Sequence, residues 1–431
     1  MSKNIIRKLH WRKLDDQAKI YSLSQNINDT SIFRLSVILN DKINQQILEK
    51  AVELSLETYK AYKVKMEGGF FWYYLDENKK KPVVTEENDY PFQKINTPEN
   101  NDYLFKVTYY DKKINLELFH TLTDGNSGSK FFKEIICRYL ELRYPKKFKQ
   151  NTLSSSKIIT DSENSYIKNY KKDINKAYNP PKGYMLKGKE LPQGVVGINH
   201  FSIKLDKIKK LAKANNCTLS VLLVAMLTYS IYKGNYKEHK DKKPINVCIP
   251  IDLKNYFSSD TISNFVSYMV VSLSLKKRHN YTFKDILNMV DKEFKKKLKY
   301  DKIVETMSSN GKMLNNIFVR VVPLILKRIM VVLGTLEFKR HFSTTFSNIG
   351  IFEIDDQYKE YIESYYFILS PDWSEKLRCG VVTFKDNLVM TFGTSLQNPK
   401  IENEFKNLLD QHKIKYKVQG NGMNEVTKKA R

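Results

Sequence analysis

The chain has 431 residues, 41% of them hydrophobic and 12% aromatic. That length exceeds one ordinary core and predicts two domains of about 200 residues each, and the apolar content excludes wholesale disorder. The net charge of +26, from 73 Lys+Arg against 47 Asp+Glu, would draw phosphates, acidic proteins or anionic lipid. Much of the excess is lysine spread along helical patterns such as "DKEFKKKLKYDK", and no zinc finger, RNP-type aromatic motif or Arg-rich helix accompanies it, so nucleic acid is not an expected partner.

In chain order, "MSKNIIRKLHWRKLDDQ" carries charges throughout and no apolar core of a signal peptide. "FRLSVILN" (33–40) alternates as a strand, and 43–59 follows with helical spacing at Ile43, Ile47, Leu48, Ala51, Val52 and Leu56. "YKVKMEGGFFWYYLDEN" predicts two short strands joined through Gly68-Gly69. Residues 104–120 predict a hairpin turning at Asp111-Lys112-Lys113, and 127–144 a helix whose apolar side includes Phe131, Phe132, Ile135, Ile136, Tyr139 and Leu140. A polar, Ser/Asn/Lys-rich segment ending in Pro180-Pro181 then reads as a connection.

The second part repeats the first in outline. "NHFSIKLDKIKKLAKANN" has the strand-then-helix form of 33–59, and "CGVVTFKDNLVMTFG" (379–393) matches the first hairpin and is again followed by a helix. A pseudo-duplicated α/β chain with mixed sheets is the economical reading, divided into 1–165, a linker at 166–198, and 199–431. Within the second part, "NIFVRVVPLILKRIMVVLGTLEF" (316–338) is the most apolar stretch of the chain. Arg320, Lys327, Arg328 and Pro323 interrupt it, which predicts a buried or surface-lying helix rather than a membrane span and leaves a peripheral membrane contact as an alternative.

The four cysteines lie far apart with no CxxC pair, as expected of reduced thiols in a cytoplasm. The seven histidines form no HExxH and no close His/Cys cluster, so no metal is expected. One histidine stands apart. His120 ends the run Ile114-Leu116-Leu118, which would place it on the inward face of the strand, and Asp124-Gly125 follow. A buried imidazole at a strand end suits a general base. Asp124 would fix the loop, and Gly125 would adopt a backbone conformation closed to other residues. The plainer alternative is a turn with Asn126 or Ser127 as helix cap. The second hairpin ends "TFGTSLQ", without the histidine or the Asp-Gly, so only one half carries this feature.

"FHTLTDG" resembles the HxxxDG motif of the superfamily that contains chloramphenicol acetyltransferase, peptide-synthetase condensation domains, plant acyltransferases and alcohol acetyltransferases. Pro250, Asp252, Leu253, Asn264 and Phe265 in "NVCIPIDLKNYFSSDTISNF" are similar to a second conserved stretch of that group, and "TTFSNIGIFEI" to a third. Phe119 stands where condensation domains carry a first histidine, Lys254 where arginine is common, and the plant branch's Asp-Phe-Gly-Trp-Gly is missing. The resemblance therefore favours the bacterial alcohol acetyltransferase-like members.

The resemblance implies two chloramphenicol-acetyltransferase-like domains, each a two-layer α/β sandwich, meeting across a tunnel with His120 near its middle. It implies transfer of an acyl group from acyl-CoA or a phosphopantetheine thioester, with no tightly bound cofactor, to a small hydroxyl or amine acceptor. An acyl carrier protein would be a further partner where it is the donor. His120 would be the base, Asp124 architectural, and Gly125 part of the substrate site. Ser347 or Asn348 of "SNIG" would donate to the oxyanion, the alternative being a polar turn before a strand "IFEI". Two other readings stand beside this one: a catalytically silent binding protein on the same fold, and a membrane-associated lipid acyltransferase.

Overall fold

The computed structural model describes residues 11–26, 29–148, 159, 164–169, 180–239, 241–259, 261–275, 280–314 and 321–424. Among these, the strands form three sheets, of three, five and seven strands.

The N-terminal part runs β1 (Trp11–Lys13), α1 (Asp16–Ser24), β2 (Ile32–Leu39), α2 (Gln45–Thr58), β3 (Val64–Gly68), β4 (Tyr73–Glu77), β5 (Val84–Glu86), β6 (Phe105–Tyr110), β7 (Lys113–Phe119) and α3 (Gly125–Arg143). In α2 the Asn44 side chain caps the first turn by accepting from Ile47 N–H at 3.0 Å, and Leu48, Ala51, Val52 and Leu56 are buried on the expected face. The β6–β7 hairpin turns on Asp111 and Lys112 alone. Asp111 takes the left-handed conformation (φ +49°) that Asp tolerates, and Lys113, expected in the turn, is already strand. The β3–β4 pair is joined by β1 into the small sheet, a pairing that local periodicity does not signal.

β7 is buried on both faces rather than one. Leu116 and Leu118 face apolar core, while on the other side Glu117 pairs with Arg34 of β2 at 2.9 Å and Asn115 accepts from Ser36 at 2.7 Å. The alternation of apolar and polar residues therefore marks two enclosed surfaces, the second made tolerable by paired charges and hydrogen bonds.

The C-terminal part contributes β8 (Gly197–Lys204), β9 (Ile245–Asp252), β10 (Val266–Leu273), β11 (Thr344–Ile351), β12 (Ile362–Leu369), β13 (Leu377–Phe384), β14 (Asn387–Thr394) and β15 (Tyr416–Gly420). The seven-stranded sheet has the order β10-β9-β11-β13-β14-β8-β15, with β11 parallel to both its neighbours and the other pairs antiparallel. The helix Leu219–Ile231 is apolar all round and almost wholly buried, as a core helix must be. Among the described residues no single helix is long and apolar enough to cross a membrane. "SNIG" lies inside β11 with irregular pairing between Asn348 and Ile351, and "IFEI" does not continue as a strand.

Sequence order and sheet membership part company at β12. It follows β11 in the chain but pairs antiparallel with β2, giving the five-stranded sheet the order β12-β2-β7-β6-β5. The segment 199–431 thus supplies an edge strand to the sheet of the first part. β12 also lies hard against the larger sheet, where a Cβ on Gly380 would sit 2.3 Å from the Phe367 carbonyl oxygen, and one on Gly393 2.3 Å from that of Leu369. Glycine is required at this contact because two backbones meet there.

Either Gly380→Ala or Gly393→Ala should therefore lower stability in urea by about 1–3 kcal/mol through overpacking. Gly334→Ala, in a helix with nothing within 4 Å, should be neutral or stabilise by up to about 1 kcal/mol. Equal effects at the three positions would contradict the close approach.

Candidate active site

His120 is the first residue beyond β7, and its position is fixed through its backbone. Its N–H donates to Ser31 carbonyl at 3.0 Å, and Asn264 Nδ2 donates to its carbonyl at 2.8 Å. The imidazole lies between Tyr21 of α1, stacked at 4.8 Å, and Phe33 of β2 at 4.6 Å. Phe33 is met edge-on in turn by Phe367 of β12, at 6.1 Å. The residue as a whole is half-buried, yet Nδ1 is sealed from solvent and makes no hydrogen bond of good geometry. Burial among these rings pushes the imidazole pKa down to about 4. The Asp124 charge and the Thr123 backbone oppose this shift without reversing it. The ring is neutral at ordinary pH.

Asp124 is nearly inaccessible and forms the N-cap of α3, its Oδ1 accepting from Ser127 N–H at 2.8 Å. The helix therefore begins at Gly125, two residues before the expected start, and the cap is Asp124 rather than Asn126 or Ser127. The other carboxylate oxygen meets the second part of the chain. Lys254 Nζ donates to Oδ2 at 2.9 Å and to Ser127 Oγ at 2.6 Å, and Phe265 N–H approaches Oδ2 at 3.4 Å. Lys254 is itself oriented by Asp252, which accepts from its N–H at 2.9 Å and, on the other oxygen, from Asn126 Nδ2 at 2.7 Å.

The loop 262–265 completes the clamp. Thr123 Oγ1 donates to Ile262 carbonyl at 2.7 Å, and Tyr62 hydroxyl reaches Thr123 Oγ1 at the same distance. Asn264 also contacts Asp15, whose Oδ2 accepts from its N–H at 3.3 Å and its Nδ2 at 3.2 Å. Burial raises the Asp15 carboxyl to about 6, against the hydrogen bonds from Ala18 and Asn264 that favour its ionised form.

Gly125 does not take the special backbone conformation expected of it. It is an ordinary first-turn helical residue, outside the positive-φ set. What it supplies is space: a Cβ there would lie 3.2 Å from Ile349 Cγ2 and 3.5 Å from Phe367 Cζ. β11 therefore crosses the start of α3. Ser347, two residues before Ile349, is partly buried opposite Gly380. Asn348 is exposed, its side-chain oxygen accepting from Gly350 N–H at 2.9 Å, which is local turn chemistry.

A buried charge network lies beside the site and was not anticipated. Arg378 pairs with Asp372 at 2.5 Å and Glu375 at 2.8 Å, and Lys339 pairs with Asp372 at 2.6 Å and also with Asp29. Its field reaches the imidazole, Arg378 lowering and Asp29 raising the His120 pKa. These residues come from three separated segments, so no linear pattern joins them.

The chain shares its mixed α/β fold with solved condensation domains and with an O-acetyltransferase. No protein-family model matches the chain, and no curated protein matches it. Among solved structures, polyketide synthase associated protein 5 from Mycobacterium tuberculosis is similar with TM-score 0.60 and 12% identity, over 92% of this chain and 96% of that one. The TRI3 trichothecene 15-O-acetyltransferase from Fusarium sporotrichioides gives TM-score 0.62 and 10% identity, over 93% and 94%. The starter condensation domain of rhizomide synthetase, in complex with C8-CoA, gives 0.56 and 10%, over 93% and 94%.

Lys254→Met should cost about 3–5 kcal/mol of folding stability, because it leaves the Asp124 carboxylate buried without its cation. Adding Asp124→Asn in that background should recover a large part of the loss, since no uncompensated charge then remains. Simple additivity of the two losses in a chemical-denaturation cycle would refute the coupling.

Proposed function

We propose that this chain is an acyltransferase that moves an acyl group from a thioester donor, acyl-CoA or a carrier-protein phosphopantetheine, to a hydroxyl or amine, with His120 as general base. The observation that carries the reading is the neutral, aromatic-enclosed His120, held by a loop that both parts of the chain anchor. The fold, shared with an O-acetyltransferase and with a condensation domain in complex with C8-CoA, agrees with it.

With Nδ1 sealed inside the protein, Nε2 is the nitrogen left to accept a proton. It takes the proton of the acceptor hydroxyl or amine as that atom attacks the thioester carbonyl carbon. The tetrahedral oxyanion collapses with cleavage of the C–S bond, and the imidazolium returns the proton to the departing thiolate. Free thiol and acylated acceptor leave, and no acyl-enzyme is needed. Holding donor and acceptor at one base converts a bimolecular encounter into an oriented reaction.

Asp124 acts as a positioning residue: it takes no part in the proton transfer and ties the loop to Lys254. Ser347 is the proposed oxyanion donor, being the β11 hydroxyl closest in sequence to Ile349, which packs over Gly125, whereas the Thr344 and Thr345 hydroxyls donate to Leu377 and Glu375. Asn348 is assigned to the turn at Gly350. Much of the basic surface would serve the phosphates of coenzyme A or an acidic carrier protein.

Thiol release from acyl-CoAs in the presence of mixed alcohols and amines should require both an acceptor and His120, and His120→Ala should abolish it. Full turnover in that variant would remove the base assignment, and no release from any acyl-CoA would leave a carrier-protein donor and a silent binding protein level, to be separated by calorimetric binding of CoA. Ser347→Ala should lower kcat by about 10²-fold or more with little change in KM.

The pH profile gives a separate check. The base works as the neutral ring, so a pKa held near 4 keeps activity level down to about pH 5, with the acid limb below that. A limb at about 6.5, the ordinary histidine value, would mean that the ring is solvated in the working enzyme.

A further inference from the structure

The helix Leu324–Lys339 is built inside out. Its one fully buried side chain is a lysine, Lys327, whereas Ile325, Leu326, Ile329, Met330 and Leu333 each keep 55–78% of their surface exposed. At 3.6 residues per turn these five project to one side, and from Ile325 to Leu333 they cover about 12 Å of helix. The inward side is held by polar contacts. Lys327 Nζ donates to Phe71 carbonyl at 2.7 Å and sits 3.5 Å above the Trp72 ring, and at the far end Lys339 enters the network with Asp29 and Asp372.

A second element supplies the same kind of surface. The tip of the β3–β4 hairpin exposes Phe70 and Phe71 beside the start of the helix, where Leu324 N–H donates to Phe70 carbonyl at 2.9 Å. Aromatic and aliphatic side chains from two separate segments thus form one outward apolar surface. Arg328 on the helix and Arg340 just past its end stand exposed, against a single acidic residue in the helix, Glu337, which pairs with Arg340 at 3.6 Å.

We propose that this surface docks the protein on an anionic lipid bilayer, with the 324–339 helix lying in the plane of the interface and the Phe70-Phe71 tip inserted beside it. A helix with aliphatic side chains outward, an aromatic tip and a basic border matches what an interface of acyl chains and anionic headgroups accepts. Contiguous apolar surface of this kind is not left to water without a partner. The net charge of +26 supplies the long-range attraction that a bilayer rich in anionic lipid would reward and that a second, equally basic copy would oppose. The docking surface is also coupled to the site: the helix packs on α1, which carries Tyr21 against His120.

Flotation of the full-length protein with phosphatidylcholine vesicles, with and without phosphatidylglycerol, tests this directly. The wild type should bind the anionic vesicles at least about tenfold more strongly than the neutral ones. Ile329→Asp/Leu333→Asp and, independently, Phe70→Ser/Phe71→Ser should each reduce that binding by about tenfold or more, with unchanged melting temperature. His120→Ala should bind as the wild type does, so the outcome does not depend on the transfer chemistry. Absence of wild-type binding to any vesicle, or undiminished binding in both double variants, would overturn the proposal. So would a wild type that is dimeric without lipid and becomes monomeric in the variants, which would make the surface an interface between copies.

Discussion

The Asp124 carboxylate is the group on which the rest of the site depends. It is nearly inaccessible, so its charge must be met on the spot, and three donors do so: the Ser127 amide, the Lys254 ammonium and, at longer range, the Phe265 amide. One of these is local and two come from more than a hundred residues away. The same side chain therefore starts α3, fixes the loop behind His120 and pins that loop to the strand β9 and its following turn. A buried ion pair of this kind contributes little net stability compared with an apolar replacement, and a great deal of specificity in what touches what. Here the geometry specified is the register between the two parts of the chain at the imidazole.

That arrangement also explains why His120 stays neutral. A carboxylate four residues away would ordinarily hold a histidine proton in place. Asp124 does act in that direction, but its charge is largely answered by Lys254, and its oxygens are turned to Ser127 and Lys254 rather than to the ring. Desolvation by Tyr21 and Phe33 then dominates. Lys254, on the far side of the carboxylate, holds the Asp124 oxygen that it meets turned away from the ring.

Local chemistry was legible in the sequence and long-range pairing was not. The strand at 33–40, the helix after it, both hairpins and the helix that follows each one lie within a residue or two of where periodicity places them, because their hydrogen bonds and capping groups are close in sequence. That His120 and Asp124 share one strand-to-helix corner was legible for the same reason, while the roles proposed for them came from the resemblance. The membership of β12 in the first sheet was not, since its partner β2 lies some 330 residues earlier and both strands read as ordinary apolar runs. Lys254 was visible only as a departure from an arginine, with its carboxylate unassigned. Gly125 was noticed for the wrong property: a turn-forming dipeptide suggested unusual dihedrals, whereas the requirement comes from Ile349 and Phe367 packing over the helix start. Steric demands from another segment leave no local mark.

The same limit governs the 324–339 helix. Its sequence reads as an apolar segment broken by charges, and two opposite placements satisfy that pattern: apolar side inward with the lysines snorkelling out, or lysines inward with the apolar side out. Lys327 and Lys339 select the second. Each has a destination that a water-exposed lysine would lack, a carbonyl and an indole face for one, two carboxylates for the other. Desolvation lowers the Lys327 pKa to about 8, close enough to neutrality that the cost of enclosing it is moderate, while the Asp29 and Asp372 charges raise that of Lys339. Inward polar anchoring thus overrides the usual preference for burying isoleucine and leucine, and the surface it leaves follows from where the carboxylates and the hairpin tip happen to stand. The apolar face is a consequence of electrostatics in the interior, and it stays exposed because the interior has already taken the lysines.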